Sequence, residues 1–135
     1  MAEKESTQKK GYTVLLVDDD KFLLDMYSTK FREAGHTTEA TFGGDDALKK
    51  LRDGAQFDAI LLDMVMPGTD GIELLKNVKA EKLGGNPTLI ALSNQGEQSD
   101  IDKAKEAGAD DYIVKASAIP SEVLAHVINA IEKRG

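Results

Sequence analysis

Two apolar patterns take turns along the chain. Short runs of consecutive apolar or β-branched residues alternate with longer stretches in which apolar positions recur every three or four residues. The clearest run is Ala59-Ile60-Leu61-Leu62, which leads straight into Asp63 and is soon broken by Pro67-Gly68. A short run bounded by breakers predicts a strand buried on both faces. Asp63 then stands at the carboxyl end of a central strand, where open α/β sheets place their ligands.

The same alternation covers the rest of the chain. Residues 12–17 predict a buried strand that ends in Asp18, Asp19 and Asp20. Phe22, Leu23, Met26, Tyr27 and Phe31 follow at helical spacing, with Gly35 where a C-cap glycine would sit. Residues 37–42 predict a more polar strand, with Thr38, Ala40 and Phe42 alternating against Glu39 and Thr41, suited to a sheet edge. A short helix is expected from about Asp45, with Ala47, Leu48 and Leu51 inward and Gly54 closing it. Beyond Asp63, a helix carrying Ile72, Leu74, Leu75 and Val78 is expected to stop at Gly84-Gly85. Residues 88–92 predict the fourth strand, which delivers Ser93-Asn94. The next helix spans roughly 98–107, buries Ile101 and Ala104, and is closed by Gly108. Residues 111–114 form the fifth strand and end at Lys115. The last helix starts near Pro120, a favoured first-turn residue, with Val123, Leu124, Val127, Ile128 and Ile131 inward.

Five strand–helix units predict an α/β fold: a doubly wound, five-stranded parallel sheet with five helices covering both faces and right-handed crossovers. The units do not fix the strand order, and 2-1-3-4-5 is taken from fold analogy. Residues 1–11, polar and aperiodic, are expected to form a flexible tail, and residues 12–135 one domain.

Composition narrows the chemistry. The 135 residues contain no cysteine, which excludes disulfides and thiolate metal sites, and the two histidines, His36 and His126, lack ligand spacing. A formal net charge of −7 argues against nonspecific binding to nucleic acid or anionic lipid and suits a site that collects cations. No segment reads as a signal peptide or a membrane span, so the expected location is the cytoplasm.

The candidate site residues each follow a predicted strand directly: Asp18 and Asp19 the first, Asp63 the third, Ser93 the fourth and Lys115 the fifth. In a parallel sheet they converge on one rim, with three carboxylates at the switch point between the first and third strands. Such crowding calls for a cation or for protonation, and oxygen ligands in this number suit Mg²⁺. With an ammonium and a hydroxyl added, the set suits a phosphoryl group joined to a carboxylate oxygen. Taken singly, each residue has a plainer reading. The Asp triplet could cap a helix, Ser93 could be a turn residue, Lys115 a solvated lysine and Tyr112 part of the core.

These motifs resemble the receiver domain of two-component response regulators, and specifically the stand-alone chemotaxis type. Val-Asp-Asp at 17–19, Leu-Leu-Asp-Met-Val-Met-Pro-Gly-Thr-Asp-Gly at 61–71, Ala-Leu-Ser at 91–93 and Asp-Tyr-Ile-Val-Lys at 111–115 fall in register. The similarity covers about residues 12–133 and implies a flavodoxin-like fold. It implies that Asp63 accepts a phosphoryl group from a histidine kinase or phosphotransfer protein. It also implies that Asp18, Asp19, Asp63 and the backbone carbonyl of Val65 hold Mg²⁺. Lys115 would pair with the phosphoryl oxygens, Ser93 would swing toward them and Tyr112 would move inward. The shift would remodel the face made by the fourth helix, fifth strand and fifth helix. Because the sequence ends with the fifth helix, output is expected in trans, on a downstream protein the sequence does not identify. Nothing in it selects between a monomer and a homodimer through the last two helices.

Three departures from the usual pattern stand out. Ala116 follows the lysine where proline is common, often with a cis bond, and a cis bond before alanine costs about 3–4 kcal/mol. That loop is expected to be strained or rebuilt. Val65 and Gln95 occupy the variable positions flanking the phosphoryl group, and an apolar Val65 predicts slow self-hydrolysis. Asn94 replaces a small residue and narrows access for donors. The alternatives are a Mg²⁺-dependent phosphohydrolase, for which Val65 offers no acid two residues after the nucleophile, and a phosphorylation-independent scaffold. The leading expectation is a signalling switch rather than an enzyme with an external substrate.

Overall fold

Every residue of the central strand, Ala59–Asp63, is buried. It is the third strand, β3, of a five-stranded parallel sheet. The others are β1 (Thr13–Val17), β2 (Thr37–Thr41), β4 (Thr88–Ser93) and β5 (Asp111–Val114), and the order is 2-1-3-4-5. The five helices are α1 (Lys21–Glu33), α2 (Gly44–Arg52), α3 (Gly71–Glu81), α4 (Gln98–Ala107) and α5 (Pro120–Arg134). The structure, a computed structural model, describes residues 11–94, 96–115 and 118–134. The expected tail over residues 1–11, apart from Gly11, therefore lies outside the described residues, as do Gln95 and Ala116, where strain was expected.

Strand side chains alternate between two cores. Leu15, Val17, Ile60, Leu62, Leu89 and Ala91 meet the apolar faces of α2, α3 and α4. Val14, Leu16, Leu61, Ile90, Leu92 and Ile113 meet α1 and α5 on the other side. β3 and β4 are covered on both faces, which is why they read as unbroken apolar runs. At one edge β2 is mostly exposed, in keeping with its polar sequence, and Phe42 lies just beyond it, exposed.

Three local expectations need correction. The buried stripe of α1 is Leu24, Tyr27, Ser28 and Phe31, whereas Phe22 and Met26 face solvent. A polar Ser28 on the buried stripe disguises the true face. Helix α3 ends at Glu81 rather than at Gly84-Gly85, because Lys82 itself takes the left-handed conformation (φ 54°). The Leu83 N–H then donates to the Val78 carbonyl at 3.0 Å, and Leu83 packs on the core, the hydrophobic contact that completes such a cap. Helix α4 buries Ala104 and Ala107, while Ile101 is only half-buried, so α4 meets the core through small residues. Among the described residues no helix is long and apolar enough to cross a membrane.

Candidate functional site

Four strand ends deliver the site residues to one rim. Asp18 follows β1, Asp63 ends β3, Ser93 ends β4 and Lys115 follows β5. Parallel pairing sets Val17 opposite Leu62, so the next residues, Asp18 and Asp63, emerge side by side. The gap between β1 and β3 is also the switch point of the 2-1-3-4-5 order, where the crossovers change face.

One carboxylate oxygen from each of Asp18, Asp19 and Asp63 lies within 4.8 Å of the other two. Asp18 and Asp63 are buried and Asp19 is exposed. Asp20 stands apart from the cluster. Its Oδ1 accepts the backbone N–H groups of Phe22 and Leu23 at 3.0 and 3.2 Å, so the capping reading holds for Asp20. Asp18 uses Oδ1 to accept the Asp20 N–H at 3.0 Å, which leaves Oδ2 aimed into the cluster.

Lys115 is the counter-charge. Its Nζ lies 3.2 Å from Asp18 Oδ2 and 3.4 Å from Asp63 Oδ1. The Asp18 contact is an ion pair without the alignment of a hydrogen bond, and Asp18 Oδ2 has no hydrogen-bond partner. Burial, and then the neighbouring Asp18 charge, push the Asp63 carboxyl above the usual carboxylate range, against the pull of Lys115. Burial works to lower Lys115, but the Asp18 and Asp63 carboxylates outweigh it and hold the ammonium above its ordinary value.

The donor set fits a hard divalent cation. A buried carboxylate oxygen without a hydrogen bond, next to two further carboxylates and one ammonium, lacks positive charge. Three carboxylates with one oxygen each inside a common 4.8 Å suit the all-oxygen ligand set that Mg²⁺ takes.

The remaining candidates take the expected places. Ser93 is buried at the end of β4, one step beyond the residue that pairs with Asp63. Tyr112 is half-buried against the α2–α4 core. Val65 is 69% exposed, and its N–H reaches Asp63 Oδ1 at a long 3.5 Å. Tyr27, expected only as one of the apolar positions of its helix, is buried close enough to the site to feel its charges. Burial raises its phenol, Lys115 opposes that rise, and the Asp18 and Asp63 charges add to it. Its place about two helical turns after the acidic triplet is the only hint of this in the sequence. Gly71, the first residue of α3, also matters to the site. A Cβ there would stand 2.6 Å from Met64 Cα and 2.9 Å from the Asp63 carbonyl oxygen, so α3 starts in backbone contact with the strand end.

Residues 14–128 match the family described as the response regulator receiver domain. The chain belongs to that family. Among relatives, the receiver domain is 35% identical over 114 residues to the transcriptional regulatory protein ResD of Bacillus subtilis, covering 84% of this chain and 45% of that protein. It is 33% identical over 125 residues to the phosphate regulon transcriptional regulatory protein PhoB of Pseudomonas aeruginosa, covering 93% and 54%. The chain thus spans about half the length of the curated relatives it matches.

Among solved structures, the receiver domain of Francisella response regulator 1452 superposes with TM-score 0.83 at 31% identity, over 93% of this chain and all of that one. Vibrio cholerae chemotaxis protein CheY4 gives TM-score 0.81 at 27% identity, over 90% of this chain and 99% of that one. A BeF3-activated DrrB receiver domain gives 0.78 at 29%, over 91% and 99%.

A receiver domain is a phosphorylation-dependent signalling module, and Asp18, Asp19 and Asp63 form its acidic pocket here. As a receiver domain it is a phosphoacceptor signalling module rather than a classic enzyme.

Proposed function

We propose that Asp63 is the phosphoryl acceptor of this receiver domain. We propose Asp18, Asp19, Asp63 and the backbone carbonyl of Val65 as ligands for Mg²⁺, with Ser93 and Lys115 as partners of the phosphoryl group. The observation that carries this reading is the shared reach of the three carboxylates, within 4.8 Å of one another, with Lys115 in ion-pair range of two of them.

In the reaction, an Asp63 carboxylate oxygen attacks the phosphorus of phosphohistidine or of a small acyl phosphate. A P–O bond to Asp63 forms as the donor's P–N or P–O bond breaks, and the electron pair leaves with the donor. Asp63 suits the role because it is buried on rigid strand backbone, so the nucleophile is aimed before the donor arrives. Lys115 offers a compact positive charge to the phosphoryl oxygens, and the Ser93 hydroxyl a neutral donor. Mg²⁺, when bound, neutralises charge on the phosphoryl oxygens.

We read the output as remodelling of the α4–β5–α5 face, acting in the cytoplasm on a separate protein in the manner of the chemotaxis type. Two observations support this reading. Helix α4 is anchored by Ala104 and Ala107, so shifting it disturbs little buried area. The solved chain of the chemotaxis protein CheY4 is matched over 99%.

The test is intact-mass analysis after incubation with acetyl phosphate and Mg²⁺. One added phosphoryl group, absent from Asp63→Asn, is expected, and no gain with any small donor overturns the reading in favour of a scaffold. Hydrogen exchange with and without phosphorylation tests the face: altered protection should fall in α4, β5 and α5.

A further inference from the structure

The loop that follows Asp63 is held by a residue from a different helix. Its ends are fixed through backbone. The Met64 N–H donates to the Leu92 carbonyl at 3.1 Å, and the Gly71 N–H to the Met64 carbonyl at 3.2 Å. Asp70 caps α3 by accepting the Glu73 N–H at 3.0 Å. Between these ends the Met66 side chain is buried while Val65 is exposed.

The far side of the loop, Pro67-Gly68-Thr69, rests on the first turn of α2, where the Thr69 hydroxyl donates to Asp45 Oδ1. Little slack surrounds that bond. A Cβ added to Gly44 would strike the Thr69 carbonyl oxygen, and one added to Gly68 (φ +74°) would stand 2.8 Å from Asp45 Oδ2. Gly44 thus lets the helix start meet the loop backbone, and Gly68 leaves room for the Asp45 carboxylate that takes the Thr69 hydrogen bond.

We infer that Asp45 and Thr69 are positioning residues for phosphorylation: their hydrogen bond fixes the loop that carries Val65, and so the carbonyl offered to the cation. The inference rests on the reading of Val65 as a Mg²⁺ ligand. Asp45 is exposed, so as a purely structural contact the bond would contribute little to stability. As an outer support for a metal ligand it matters more, because such supports set ligand orientation.

The two roles separate by experiment on the full chain. Mg²⁺ affinity is measured by calorimetry on unphosphorylated Thr69→Val, Thr69→Ser and Asp45→Ala, beside amide hydrogen exchange of the metal-free proteins. Thr69→Val and Asp45→Ala are expected to weaken Mg²⁺ by about tenfold, the lower end for loss of an outer partner. Exchange at Val65, Gly68 and Thr69 should quicken, while Leu61 and Leu62 in β3 stay unchanged. Thr69→Ser, which keeps the hydroxyl, should behave like the parent and rescues the assignment if Thr69→Val folds poorly. Unchanged Mg²⁺ affinity in Thr69→Val and Asp45→Ala, or a rise in exchange shared equally by β3, overturns the inference. If the parent chain meanwhile gains a phosphoryl group on Asp63, only the positioning role falls. A parent chain that neither binds Mg²⁺ nor gains phosphate removes the proposed function and this inference together.

Discussion

Lys115 Nζ stands 3.4 Å from Asp63 Oδ1, the ammonium brought by the end of β5 across the rim to the end of β3. The same nitrogen is 3.2 Å from Asp18 Oδ2, so one positive charge is divided between two buried carboxylates. Without a cation this division sets the electrostatics of the pocket. Burial, and then the Asp18 charge, hold the Asp63 carboxyl above the usual range, and Lys115 relieves this only in part.

Removing Lys115 should therefore destabilise the metal-free fold. Breaking a fully buried ion pair costs about 3–5 kcal/mol. Lys115 keeps some exposure and water can enter after its removal, so Lys115→Ala is expected to cost about 1–3 kcal/mol at pH 7. In an Asp63→Asn background the cost should fall by at least half, since only one carboxylate then loses its partner. Urea unfolding of the two single variants and the double variant measures this coupling. Equal costs in both backgrounds would show that Asp63 does not depend on Lys115.

Much of this pocket could be read from sequence because buried parallel strands leave little ambiguity. An apolar run such as Ala59–Leu62 has one reading, and the residue that follows it must appear on the rim. Asp18, Asp63, Ser93 and Lys115 were all placed in this way. Strand order could not be read, since each βα unit is locally alike and only pairing such as Val17 with Leu62 distinguishes the arrangements. The Thr69–Asp45 bond gave no signal either, as its partners lie 24 residues apart on separate elements.

Helix α1 shows the same limit at the level of one stripe, and gives a direct test. Phe22 is 75% exposed and Leu24 only 2% exposed, the reverse of the order their size suggests. Phe22→Ala should change unfolding free energy by no more than about 0.5 kcal/mol, whereas Leu24→Ala should cost about 2–5 kcal/mol. Thermal or urea melts of the two variants decide it, and comparable costs would place the buried stripe wrongly.

His36 ties the start of β1 to the end of α1 and makes the fold sensitive to acid. The Tyr12 N–H donates to His36 Nδ1 at 3.0 Å, the two rings stack with centroids 5.7 Å apart, and Phe31 meets the imidazole edge-on. Burial lowers the imidazole below its ordinary value of 6.5. The unfolded chain thus takes up the proton first. Stability from this group is complete above 6.5 and is lost as pH falls through the folded value, with a slope of at most about 1.4 kcal/mol per pH unit. Urea unfolding between pH 7.5 and 5 should show the loss in the parent chain and less of it in His36→Gln, where no ring titrates. Parallel curves would remove His36 from the acid response.

Val65 is expected to set how long the phosphorylated state lasts. Its side chain is exposed beside Asp63 and offers no hydrogen bond with which to orient water. Hydrolysis of the proposed Asp63 acyl phosphate then relies on water that no hydrogen-bonding group holds at this position, and the phosphorylated state is expected to be long-lived. Val65→Asn supplies an amide that can both accept from and donate to an attacking water. The gain should stay below the roughly hundredfold that begins to mark full general-base catalysis, because an amide orients water without taking its proton. Stability should move by no more than about 0.5 kcal/mol, as expected for an exposed site outside the core. The measurement is an intact-mass time course after removal of acetyl phosphate, comparing the half-lives of the two phosphorylated proteins. A shorter half-life in Val65→Asn supports the role of Val65, and a longer one means that the missing hydrogen bond was not what kept water idle.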